Sequence, residues 1–106
     1  MLKTIPILLA FGLISGPALA AQMEMSCENP RREYLATFDE TTNTFKVQAE
    51  GADSFYIIKR IEDDGNGLIL RGKTIKGGPD FAAYLGAKKR IEFIDGGEVI
   101  QTDPCK

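Results

Sequence analysis

Gly67-Leu68-Ile69-Leu70-Arg71-Gly72-Lys73-Thr74 spells G-x-x-x-x-G-K-T, the spacing at which backbone amides cradle phosphates and a lysine reaches them. That cradle needs a loop between its glycines. Leu68 to Arg71 is strand material with no long helix after it, so nucleotide binding is not expected. Just upstream, Glu62, Asp64 and Asn66 offer oxygen at alternate positions, with Gly67 where a calcium loop makes its sharp turn. The acid that should complete such a loop is Lys73 here, and no flanking helices are expected, so the segment reads as an acidic turn. Catalytic groups are scarce. The chain has no histidine, which removes the commonest general base and the commonest metal ligand. Ser26 and Ser54 have no basic partner at a recognisable spacing, and the paired carboxylates lie in turns. Neither enzyme activity, a cofactor nor a bound metal is expected.

Cys27 and Cys105 are the only cysteines, and they stand near the two ends of the chain that remains after export. Met1 to Ala20 has the build of a secretory signal peptide. Lys3 precedes an uncharged apolar run from Ile5 to about Ile14, and Ala18-Leu19-Ala20 supplies the small residues a signal peptidase needs before Ala21. The run is short of the roughly 20 apolar residues of a spanning helix. Cys27 follows Glu24-Met25-Ser26, which is not a lipidation site. Residues 21–106 then form one soluble domain in an oxidising compartment, the periplasm or the exterior, where a Cys27–Cys105 disulfide is the natural pairing. An intermolecular bond or two free thiols are the alternatives. The cysteines lack a C-x-x-C arrangement, so the bond is read as structural.

Alternation sets the elements. Tyr34, Ala36 and Phe38 alternate with Leu35 and Thr37, and Phe45, Val47 and Ala49 alternate with Lys46, Gln48 and Glu50. Ser54 to Ile61 begins as a nearly continuous apolar run, which suits a central strand covered on both faces. Further strands are expected over Leu68–Arg71, Ile91–Ile94 and Val99–Gln101. Phe81 to Leu85 is left between a strand and one helical turn capped by Asp80. Turn signals separate these segments: Asp39 to Thr44, Glu50 to Asp53, Glu62 to Gly67, Gly77 to Asp80 and Asp95 to Glu98. Six or seven short strands without a crossover helix imply an all-β antiparallel meander, curled into a small barrel or packed as a sandwich. The disulfide would tie its first strand to its last and seal the two open edges.

Charge is interleaved, with a formal net charge of −2, and the only basic run, Lys88-Lys89-Arg90, sits beside Glu92 and Asp95. Nucleic acid and anionic membrane are therefore not expected as partners. Lys73, Lys76, Asp80, Phe81 and Tyr84 gather cations, an acid and two aromatics around a glycine-rich connection, the mixture that suits a protein contact surface. The alternative is that Phe81 and Tyr84 plug the barrel end.

Cys27, Phe38-Asp39, Gly77-Gly78-Pro79-Asp80-Phe81 and Asp103-Pro104-Cys105 together resemble the small exported proteins of unknown function common in alphaproteobacteria. That resemblance covers most of residues 21–106 and implies no settled activity. In plan the chain is also similar to periplasmic inhibitors of c-type lysozyme, small antiparallel barrels with a cysteine near each end. Their Ser-Gly-Ala-Arg-Tyr motif and any tryptophan are missing here, so no residue role is carried across. The expectation is a monomeric, non-enzymatic exported protein that binds an unidentified protein partner. A lysozyme-type hydrolase inhibitor and a secreted effector acting in a host are the alternatives.

Overall fold

The structure, a computed structural model, describes residues 22–106. The expected signal peptide, residues 1–20, lies outside the described residues. Eight strands follow one another: β1 (Gln22–Glu28), β2 (Glu33–Asp39), β3 (Thr44–Ala49), β4 (Ala52–Asp63), β5 (Leu68–Lys73), β6 (Asp80–Tyr84), β7 (Arg90–Asp95) and β8 (Glu98–Pro104). Each pairs antiparallel with the next, so sheet order equals chain order. The meander expected from the alternation is present, and it curls into a nearly closed barrel.

Inward positions follow the two-residue period. Phe38, Phe45, Leu70, Phe81 and Ile91 are at most 1% exposed and fill the interior. Phe45 and Phe81 stack with ring centroids 5.5 Å apart. Each buried phenylalanine removes enough apolar surface from water to be worth about 2–3 kcal/mol. These five side chains are therefore the main favourable term in a small domain.

Two expectations need correction, and one choice left open by the sequence is decided. Residues 22–28, which carry no strand in the sequence reading, form β1. Met25 and Cys27 alternate inward there, but methionine is not a β-favouring residue and gave no signal. Phe81 to Tyr84 is strand, not a helical turn. Phe81 lies opposite Gly72 and Phe93, Ala83 opposite Leu70 and Ile91, and Ala82 on the other face is also buried. A strand covered on both faces loses its alternation and reads ambiguously. Conversely, the apolar start of β4 is not covered on both faces: Phe55 and Ile57 are 57% and 43% exposed.

β4 makes the main corner. It pairs with β3 as far as Tyr56 and with β5 from Ile57 onward, and its register shifts by a bulge between Ile58 and Arg60. The bulge presses the β4 backbone onto Gly72, where an added Cβ would lie 1.8 Å from the Ile57 carbonyl oxygen. Only glycine fits at that place.

Closure is a single contact. Ser26 and Lys106 exchange both backbone hydrogen bonds at 2.9 Å. Beside them Cys27 and Cys105 face each other as an antiparallel pair, Cα atoms 4.0 Å apart, and are joined by the disulfide. The next hydrogen-bonding pair by alternation would be Glu28 with Pro104, and proline has no N–H to donate. The seam also ends there because β1 stops at Glu28 and the chain turns at Asn29, so the rest of β8 runs on past the end of β1, beside the β1–β2 turn.

Replacing Cys27 and Cys105 by serine should cost about 4–5 kcal/mol, the loop entropy released across a sequence separation of 78, read by urea denaturation. Gly72→Ala should cost about 1–3 kcal/mol on the same assay, because the new methyl must displace β4. An alanine as stable as the parent would mean that the bulge adjusts freely.

Candidate functional site

Where β8 runs on past the end of β1, the sheet opens into a mouth of about 530 Å³. Its lining mixes apolar Val47, Ala49 and Phe93 with polar Tyr34, Ser54, Tyr56, Gln101 and Asp103. The β1–β2 turn forms the rim. Asn29 Oδ1 accepts the backbone N–H groups of Arg31 (2.8 Å) and Arg32 (3.0 Å), a local asparagine turn that fixes where both arginines leave the chain. Arg32 is then held to Glu50 at 2.8 Å across the rim.

Asp103 is the centre of the site. It stands inward on β8 and is 1% exposed. Tyr34 donates its hydroxyl to Oδ2 at 2.5 Å, and Gln101 Nε2 donates to Oδ1 at 2.8 Å. The Tyr34 bond reaches from β2 past β1 to β8, and Tyr34 is also the strand partner of Cys27. The polar cluster and the disulfide thus brace the same seam. Burial, and after it the bond to the Asp103 carboxylate, pushes the Tyr34 phenol far above its ordinary value. Burial and then the Asp103 charge raise Tyr56 as well. Tyr56 is seated on aromatic neighbours, with centroids 5.1 Å from Phe81, 5.7 Å from Phe45 and 6.4 Å from Phe93.

The residues singled out from sequence lie elsewhere and do not form one surface. Lys73 Nζ is 2.8 Å from Asp80 Oδ1 at the base of the β5–β6 connection, with Lys76 exposed beyond them. Phe81 is a core residue, 1% exposed, stacked on Phe45. Tyr84 is at the opposite end of β6, its ring under the Arg90 guanidinium at 3.7 Å and its hydroxyl donating to Glu92 at 3.3 Å. Cys27 and Cys105 are bonded to each other. In the acidic turn, Glu62 is tied to Arg71 (2.9 Å) and Arg60 (2.7 Å), and the Arg71 bond leads in holding its carboxyl below the usual range. Asp63 and Asp64 accept the N–H groups of Gly65 and Asn66, so these oxygens serve the turn. The G-x-x-x-x-G-K-T stretch is strand β5, as its composition implies.

Tyr34, Tyr56, Gln101 and Asp103 were not found from the sequence as a site. One signal was available. A Cys105 turned toward Cys27 forces Asp103 and Gln101, two and four positions earlier, onto the same inward face. Comparison with known protein families, curated proteins and solved structures finds no match.

Both phenols keep their protons in the folded chain at pH values where the unfolded chain releases them. Stability is therefore full below pH 10 and declines above it, by about 1.4 kcal/mol per pH unit for Tyr34. Tyr34→Phe should remove that contribution and cost about 2 kcal/mol at neutral pH, since it leaves the buried Asp103 carboxylate one donor short. Urea denaturation between pH 7 and 11 tests both statements. An unchanged alkaline slope in the variant would contradict them.

Proposed function

We propose that this protein is exported to the periplasm or beyond and works as a non-enzymatic binding protein, admitting part of a protein partner into the mouth. The observation that carries the reading is the mouth itself. A concave site combines an apolar wall with a few polar groups whose positions are already fixed by other side chains, and such preorganisation lowers the cost of binding. The disulfide fits an oxidising compartment. Among the described residues no helix is long and apolar enough to cross a membrane. Chemistry is a weaker reading. Ser54, a serine on the wall, has no hydrogen-bonded base among the described residues, and each Asp103 oxygen is already engaged by a donor.

Position-specific cross-linking tests this. A photoreactive residue at Arg31, on the rim, should give one discrete partner adduct in cells. The same residue at Thr42, in the exposed β2–β3 turn at the opposite end of β2 and β3 from Tyr34 and Ala49, should give none. An adduct from Thr42 alone would place binding elsewhere.

A further inference from the structure

Asp103 has an imbalance that the fold alone does not explain. A carboxylate this deeply buried is ordinarily matched by a cation, because desolvating an unmatched charge is costly. Its hydrogen-bond donors here are both neutral, the Tyr34 hydroxyl and the Gln101 amide, and no ion pair reaches it among the described residues. The cavity it lines also presents the aromatic side chains of Tyr34, Tyr56 and Phe93. Rings around a carboxylate are the surroundings that favour an organic cation, through ring quadrupoles and charge together.

We propose that the mouth recognises a basic side chain, lysine or arginine, inserted by the protein partner. The inference rests on the reading of the mouth as the binding site and adds the chemistry of what enters it. The acidic balance of the chain, −2 overall, favours encounter with a basic surface. The opposing charges are the rim arginines. Arg32 is neutralised by Glu50, which leaves Arg31 as the rim cation that an incoming ammonium or guanidinium must pass. Arg31 thereby gives the test a sign of its own.

The oxidised domain, labelled with nitrogen-15, is titrated with three small probes: Nα-acetyl-lysine methylamide, the norleucine analogue that lacks the ammonium, and the glutamate analogue. The lysine probe should shift the amide resonances of Tyr34, Tyr56, Phe93 and Asp103, and should bind about tenfold more tightly than the norleucine probe. Asp103→Asn should erase that preference. Arg31→Gln, an exposed change that leaves the core untouched, should strengthen lysine-probe binding about two- to threefold, a second readout if the Asp103 variant is poorly folded. Equal binding of lysine and norleucine probes at the mouth would overturn the cation inference and leave the binding site standing. A preference for the glutamate probe, weakened by Arg31→Gln, would overturn it in favour of an anion. No shift at the mouth from any probe would also overturn it, with the cross-link from Arg31 then deciding the site independently.

Discussion

An eight-stranded meander has two free edges, and everything in this molecule depends on how they are brought together. They meet at one place. The Ser26–Lys106 hydrogen-bonded pair and the Cys27–Cys105 disulfide join β1 to β8, and the ladder stops where β1 ends at Glu28 opposite Pro104. A domain this small gains only a modest margin from its apolar core, so a covalent link spanning most of the chain is a large fraction of its stability. The Tyr34–Asp103 bond supports the same joint from inside the barrel.

Incomplete closure also creates the mouth. Because β8 runs on past the end of β1, Gln101 and Asp103 line an opening together with Val47, Ala49, Tyr56 and Phe93. A polar cluster is tolerable in a core only when its members satisfy one another, and here no buried side-chain nitrogen or oxygen lacks a partner among the described residues. Hydrogen bonding is complete while charge is not. The uncompensated charge is therefore what the proposed recognition of a basic side chain rests on.

The sequence made the fold legible where alternation was clean. β2 and β3, with Tyr34, Ala36 and Phe38 facing Val47 and Phe45, could be read residue by residue, and so could the role of the cysteines. Legibility failed where a strand departs from one wet and one dry face. β6 is buried on both sides through Ala82 and Ala83, β1 is built from methionines, and β4 changes partner at a bulge. The site was harder still. Asp103, Tyr34 and Tyr56 are distant in sequence and meet only because the barrel curls, so beyond the spacing of Asp103 from Cys105 the sequence carried no sign of them. Lys73, Asp80, Phe81 and Tyr84 looked like a cluster because they are close in sequence, but the strand between them puts its ends far apart and turns Phe81 inward.

Backbone hydrogen exchange before and after reduction of the disulfide tests the single-point closure most directly. With the bond broken, the amides of Ser26 and Lys106 should lose their protection first, while those of Val47 and Ala82, in the continuous part of the sheet, keep theirs longer. Protection at Ser26 and Lys106 that survives reduction, or that disappears no earlier than at Val47 and Ala82, would contradict the account.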